Sequence, residues 1–241
     1  MTSYKEALHK VLKVSKANKK KEFIKNVKNE TISENIYAKK DNPSFNNSLL
    51  DGFVFKSSDT KKNSHFKLNG ELAVGQNKKI KYVKNTCYRV STGGKIILPY
   101  DCMLPYEQVE VIDALIEIPK KIKKFNNVRL TGSDFKKGDL LIKKNQKITP
   151  AKKLLIKSSG NENIQIYEIP NIILFCSGDE ISDKIVFNDK VINSIPEYIN
   201  SYREVYNFKF RYLGVVKDNK NSINKIFSKI KNLNNTIIFS T

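Results

Sequence analysis

Tryptophan is absent from the 241 residues, histidine occurs twice and cysteine three times. Cys87, Cys102 and Cys176 are widely spaced and form no Cys-x-x-Cys pair, which argues against a zinc site and against a disulfide framework. Reduced, partly buried thiols are expected instead. His9 and His65 are remote from each other and lack motif partners, so neither is expected to act as a ligand or general base. No segment approaches the ~20 consecutive apolar residues of a membrane helix, and the N-terminus lacks the apolar core of a signal peptide. Both absences point to a cytoplasmic protein without a membrane partner. Arginine is scarce too: Arg89, Arg129, Arg203 and Arg211 are the only four among 44 basic residues. Readers of nucleic-acid sequence lean on arginine forks at bases and phosphates, so no specific nucleic-acid partner is expected. The net charge of +20 favours anionic small ligands and weak nonspecific polyanion binding, over a surface of solvated lysine.

A chain of this length buries roughly 70% of its extended surface and needs no staples to hold a core. Its most informative stretch is Asn171–Ile181. The apolar run from Ile172 to Cys176 suits a strand buried on both faces, as in a parallel sheet. It stops at Ser177-Gly178-Asp179-Glu180, where glycine permits a sharp turn and two acids follow. Ligands of open α/β sheets bind just beyond the carboxyl ends of strands, so this turn is either a site or an ordinary solvated loop.

Ser3 and Glu6 have capping-box spacing, and Tyr4, Leu8, Val11 and Leu12 predict an amphipathic helix over 4–16. Residues 17–21 read as a basic loop. Ile32 and Ile36 at i, i+4 suggest a second helix over 30–38. From Phe53-Val54-Phe55 to about residue 135 the pattern is short strands and turns, at 71–74, 79–83, 87–90, 107–111 and 114–118. A strand at 140–142 follows, then a helix opened by Thr149 and Pro150. After strands at 164–167 and 171–176, Ile192, Ile195, Ile199, Tyr202 and Tyr206 predict a helix of about 14 residues from their helical spacing. A strand over 208–216, a helix capped by Ser222 and a strand over 236–239 complete a parallel sheet with crossover helices.

Five stretches stand out together. Asn46-Asn47-Ser48-Leu49-Leu50-Asp51-Gly52-Phe53-Val54 is similar to Asp-Asn-Ser-x-Met-Asp-Gly-Tyr-Ala of the molybdopterin molybdenumtransferases, the molybdenum insertase family that includes MoeA and the gephyrin E domain. Arg89-Val90-Ser91-Thr92-Gly93 resembles that family's Arg-Ile-Met-Thr-Gly. Asn127-Val128-Arg129-Leu130-Thr131-Gly132-Ser133-Asp134 matches its Asn-Val-Arg-x-x-Gly-x-Asp, and Ser177-Gly178-Asp179-Glu180-Ile181 its Thr-Gly-Asp-Glu-Leu. Asn193-Ser194-Ile195 stands where the family has Asp-Ser-Asn. Thr92-Gly93-Gly94-Lys95 is not a Walker motif, since it lacks the first glycine and the hydroxyl residue after lysine.

The resemblance implies an α/β multi-domain protein. A helical and strand domain would comprise 1–38 plus 137–166, a β-rich domain over 39–136 would be inserted in it, and 167–241 would form an incomplete parallel-sheet α/β domain that binds molybdopterin. The family's reaction inserts molybdate into adenylylated molybdopterin, releases AMP and depends on Mg2+. By resemblance Asp51, Asp134, Glu180 and Asp218 are the catalytic acids. Thr92, Arg129, Ser177, Gly178 and Asp179 would bind substrate, and Glu180 and Asp51 would hold the metal. Taken singly, Asp51, Asp134 and Asp218 also have a plainer reading as turn residues. The family forms homodimers, with molybdopterin adenylyltransferase as the upstream partner. Its pattern continues past the equivalent of Thr241 into a glycine loop, lysines and a β domain. The expectation is therefore either part of an insertase or a noncatalytic truncated relative that dimerises or binds molybdopterin only.

Overall fold

The computed structural model describes residues 2–73, 75, 80–119, 121–185 and 189–241. The chain divides into two compact units. The first comprises Met1–Glu34, Lys144–Thr149 and Asn163–Thr241, the second Asn35–Lys143 and Pro150–Glu162.

The first unit is built on a three-stranded parallel sheet. Asn171–Ser177 is its central strand, Phe210–Val216 lies on one side and Thr236–Ser240 on the other. The apolar run explains the central place: Ile173, Leu174, Phe175 and Cys176 are all buried, so both faces of the strand are covered. On one face Ile173 and Phe175 pack with Ile226 and Ile230 of the helix Lys220–Ile230. The residue that caps this helix is Asn219, whose side chain accepts the Ser222 N–H at 2.9 Å; Ser222, the expected cap, is the donor instead. The edge strand Thr236–Ser240 leaves Ile237, Ile238 and Phe239 exposed.

Several other expectations for this unit are corrected. The expected loop over 17–21 ends at residue 18: Lys19–Phe23 is a strand, antiparallel to Asn163–Tyr167. Hence 163–167 belongs to that ribbon and not to the parallel sheet. The segment 30–38 holds no helix: Thr31 and Ile32 lie in isolated bridges, Ile32 N–H bonds Gln146 O and Ser33 N–H bonds Gln165 O, a bend follows at Glu34, and Ile36–Tyr37 is a short strand of the second unit. Its Ile32 and Ile36 are both buried, yet the spacing of four that suggested a helix also puts two residues on one side of a strand. The helix expected from Ile192 to Tyr206 is shorter and broken. Ile192 pairs in a strand with Ser182, and the helices are Ile195–Ser201 and Arg203–Tyr206, meeting at Tyr202. The first helix, Tyr4–Val14, has its capping box: Glu6 N–H donates to Ser3 Oγ at 3.3 Å and Ser3 N–H to Glu6 Oε2 at 2.9 Å.

The second unit is organised by a six-stranded mixed sheet. Its spatial order is Cys102–Pro105, Gly52–Phe55, Thr86–Val90, His65–Leu72, Leu115–Glu117, Glu110–Ile112. Gly52–Phe55 is buried throughout. Phe53 and Phe55 face a cluster with Phe66, Cys87, Cys102 and Ile116, while Val54 faces a second cluster with Tyr88, Val90, Tyr100 and Met103. This alternation is the period of a strand, with a core on each face. Residues 80–83 form no strand; Tyr82 instead donates its hydroxyl to buried Asp59 at 2.8 Å. The expected strand 71–74 ends at Leu72, and Val74 and Lys79 lie outside the described residues. The 107–111 stretch is a 3-10 turn, Tyr106–Gln108, followed by a strand. Leu140–Ile142 pairs with Ile36–Tyr37, and the helix Pro150–Ser158 buries Ile156.

Candidate functional site

In the second unit three of the singled-out stretches fold against one another. The short strand Asn47–Ser48 is the centre. Ser48 pairs with Val128 and Asn47 with Arg129, while Asn47 also bridges Lys95. Backbone bonds complete the junction: Gly93 N–H donates to Ser48 O at 2.8 Å, Ser48 N–H to Gly94 O at 3.0 Å and Leu49 N–H to Asn127 O at 3.1 Å.

Side chains fix each end of this strand. Asp51 Oδ1 accepts from the Thr92 backbone N–H at 2.6 Å and from its hydroxyl at 3.1 Å, tying the 91–94 turn to the 46–52 segment. Asn46 Oδ1 accepts from the Thr131 N–H at 2.8 Å and hydroxyl at 3.0 Å, tying the 127–134 loop to the same segment. Asp134 accepts from Arg129 Nη2 at 2.8 and 2.6 Å through its two oxygens, and from Asn42 Nδ2 at 2.8 Å. The bonded carboxylate favours the charged guanidinium and raises the Arg129 pKa. Thr92 and Arg129, expected to donate to a ligand, thus donate to Asp51 and Asp134 here.

Glycines set the local backbone. A Cβ on Gly52 would stand 2.1 Å from Leu104 O, and one on Gly94 would meet Ser91 O at 2.7 Å. Neither place admits a side chain without moving backbone.

In the first unit the remaining candidates gather at the carboxyl edge of the parallel sheet. The chain leaves the central strand for the neighbour on one side and later returns to the other. Such a reversal of strand order is where open α/β sheets bind ligands. Ser177 ends the central strand and Gly178 follows with φ +152°. Gly178 N–H donates to Val216 O at 3.2 Å, so the Ser177–Glu180 turn lies beside the end of the strand that leads to Asp218. The Glu180 carboxylate folds back toward Gly178, within 2.8 Å of where a Cβ would sit. Asp179, Glu180 and Asp218 are exposed.

Behind this edge lies a network that motif reading missed. Asn193 Nδ2 contacts Asp183 Oδ1 at 2.8 Å, Tyr212 OH at 2.7 Å and Cys176 Sγ at 3.3 Å, and Tyr212 OH donates to Asp183 at 2.7 Å. Burial and the Asp183 carboxylate raise the Tyr212 pKa, keeping its proton in the bond. The only hint in the sequence is that Asn193 stands where the family pattern has an acid.

Among the described residues no three His, Cys, Asp or Glu side chains gather as a metal cluster. Mg2+ sites often use one or two carboxylates completed by water and substrate phosphate, and exposed Glu180 and Asp218 suit that role in donor type. Asp51 is occupied by Thr92 in this structure. Among the described residues no helix is long and apolar enough to cross a membrane.

A family model described as "MoeA N-terminal region (domain I and II)" matches residues 2–160. The chain is 25% identical over 210 residues to molybdopterin molybdenumtransferase of Staphylococcus aureus, covering 84% of this chain and 49% of that protein. It is 25% identical over 202 residues to the Haemophilus influenzae protein of the same name, covering 83% of this chain and 50% of that one. It spans about half the length of these relatives. The fold is that of the molybdopterin biosynthesis MoeA protein of Pyrococcus horikoshii, with a TM-score of 0.86 at 22% identity, over 98% of this chain and 63% of that one. Matched by the family model over more than half its length, the chain belongs to the MoeA N-terminal region family.

Proposed function

We propose that this protein acts in molybdenum cofactor biosynthesis, in the insertion of molybdate into adenylylated molybdopterin with release of AMP. The observation that carries the reading is the placing of Ser177–Glu180 and Asp218 along the carboxyl edge of a sheet whose strand order reverses there. Names of the relatives supply the substrate class.

In this reading Ser177 and the Gly178 turn receive the pterin phosphate, and Asp179 orients polar groups of the ligand. Glu180 and Asp218 would hold Mg2+, which when bound would supply charge neutralisation. Thr92 exchanges its bonds with Asp51 for bonds to a ligand oxyanion, whereas Arg129 keeps Asp134 and binds the oxyanion through its remaining guanidinium N–H groups. Asp51 is also a metal carboxylate in this reading. Catalysis rests on positioning and charge stabilisation.

The reading includes a homodimer, supplied with substrate by a molybdopterin adenylyltransferase. Tyr4, Leu8, Val11 and Leu12 form an exposed apolar stripe on the first helix, which supports self-association. A second reading is binding of molybdopterin without turnover, for which the same sheet edge with its exposed acids would serve. Calorimetric titration with molybdopterin and its adenylylated form, alongside an assay of AMP release with molybdate and Mg2+, separates the two. Binding that weakens at least tenfold in Asp218→Asn and Glu180→Gln, with AMP released, supports insertion. Binding without release supports the second reading, and no binding of either ligand refutes both.

A further inference from the structure

We propose that the first unit carries a second ligand site, a cleft at the amino-terminal end of its parallel sheet that takes a small planar aromatic ring bearing an anionic group. The proposal is independent of the function assigned to the carboxyl edge.

The cleft has a volume of about 410 Å³, within the ~300–1,000 Å³ common for small-molecule sites. A neighbouring cleft of about 270 Å³ shares Glu30, Tyr167, Glu168 and Ile169 with it, so the two are lobes of one groove large enough for a mononucleotide. Asn171 and Ile172, the first residues of the central strand, line the groove, as do the loops that enter the flanking strands. Those loops turn on Asn207 and Asn235, both left-handed at φ 55° and 48°. The groove is therefore set by the sheet itself. Asn171 N–H donates to Asn235 O at 2.8 Å, and Asn235 Nδ2 to Ile169 O at 3.1 Å, which fixes one rim.

Its chemistry is divided. Tyr206, Phe208, Pro170 and Ile172 give the larger lobe flat aromatic and aliphatic walls, suited to one face or edge of a ring. The cations are Lys147 at the larger lobe and Lys20 and Lys209 at the smaller, against the acids Glu30 and Glu168. Lys147 Nζ stands 5.8 Å from the Tyr206 ring centroid. Glu30 turns its carboxylate back to the Lys28 N–H at 2.6 Å, and Lys20 lies 3.2 Å from Glu22. Glu30 keeps its charge while its carboxylate accepts the Lys28 N–H, and Lys20 is shared with Glu22, so Lys209 at the smaller lobe and the net charge of +20 are what favour an anion. A neutral apolar ligand would use the walls and forgo the lysines; a bare anion would do the reverse. The ring and the charge are needed together.

The seven residues of the central strand, at ~3.3 Å each, put this groove roughly 20 Å from Ser177. One small ligand cannot occupy both ends, so binding can be located by residue. Isoleucine methyl NMR on the 241-residue chain provides the test. Ile169 and Ile172 report on the groove, and Ile181 and Ile192 on the opposite edge. With AMP as probe, the Ile169 and Ile172 methyls should shift, with affinity at least fivefold above that of adenosine or of inorganic phosphate. Tyr206 is exposed, so Tyr206→Ala removes a wall without opening the core; it and Lys209→Glu should each weaken binding at least fivefold. Tyr206→Phe, which keeps the ring, should stay within twofold. The proposal is overturned if millimolar AMP moves neither methyl, if shifts are confined to Ile181 and Ile192, or if phosphate alone matches AMP.

Discussion

Gly52 joins the structural core of the second unit to its candidate site, and replacing it by alanine tests both. It precedes Phe53 in a strand buried along its whole length, and it follows Asp51, which holds Thr92. The added Cβ would lie 2.1 Å from Leu104 O, 2.7 Å from Pro105 Cα and 2.9 Å from Leu104 C. Ordinary contact begins near 3.4 Å, so the neighbouring strand must retreat by more than 1 Å. All three obstacles are backbone, and no rotamer change relieves them. Overpacking of this kind costs about 1–3 kcal/mol and at times more. A clash with a paired strand belongs at the upper end, about 3 kcal/mol. For a chain of this size each kcal/mol lowers Tm by about 2–4 °C, so Gly52→Ala should melt about 6–12 °C below wild type by circular dichroism. The retreat also strains the Asp51–Thr92 bonds, so backbone amides of the 91–94 turn should exchange hydrogen faster. A variant melting within about 2 °C of wild type would refute the packing argument.

Four further outcomes are expected. Arg129→Ala should leave the urea-unfolding midpoint nearly unchanged, because the pair with Asp134 is solvent-exposed and screened, yet it should weaken binding of adenylylated molybdopterin; a large stability loss would show that the pair holds the loop. Phe175→Ala should cost about 3–5 kcal/mol, since the ring is buried between the central strand and the helix Lys220–Ile230, and a smaller loss in urea unfolding would place that face outside the core. Burial pushes Cys87 and Cys102 up to about 12, above a free thiol near 9, so the unfolded chain releases these protons first; stability should be unaffected below pH 9 and fall between pH 9 and 12, less steeply in a Cys87→Ala, Cys102→Ala double variant, and an identical slope would refute the assignment. Asn193→Asp, toward the family pattern, should destabilise by about 1–3 kcal/mol because it sets a carboxylate against Asp183, and adding Asp183→Asn should restore the loss; a neutral single variant in thermal melts would refute that role for the network.

The parallel sheet was legible because its central strand advertises itself: an unbroken apolar run ended by Ser-Gly-Asp-Glu has few other uses. The helix Lys220–Ile230 and the strand Gly52–Phe55 were legible for similar reasons, one from its spacing of three and four, the other from three large apolar residues in a row. The stretch 30–38 failed because Ile32 and Ile36 satisfy two periods at once, and its decisive partners, Gln146 and Gln165, lie more than a hundred residues away. Lys19–Phe23 failed because a ribbon of lysines carries no apolar alternation; its strand character comes from pairing with Asn163–Tyr167. The same limit hid the Asn193 network, whose members are polar residues brought together only by the sheet.

The two sets of motif residues meet different physical situations. At the sheet edge Asp179, Glu180 and Asp218 are exposed and follow strand ends, so their position is fixed by the sheet while their charge stays hydrated. In the second unit the donors already have acceptors: Asp51 holds Thr92, and Asp134 holds Arg129. An incoming oxyanion there competes with these carboxylates, so the gain is small wherever a donor group has no N–H or O–H to spare. A guanidinium has five N–H donors and Asp134 takes two bonds through Nη2, so Arg129 can add a ligand without releasing its partner. Thr92 has one backbone N–H and one hydroxyl, both spent on Asp51 Oδ1, and cannot. Of the two, Arg129 is therefore the residue with donors to offer a ligand without rearrangement, while engagement of Thr92 requires the Asp51 carboxylate to move.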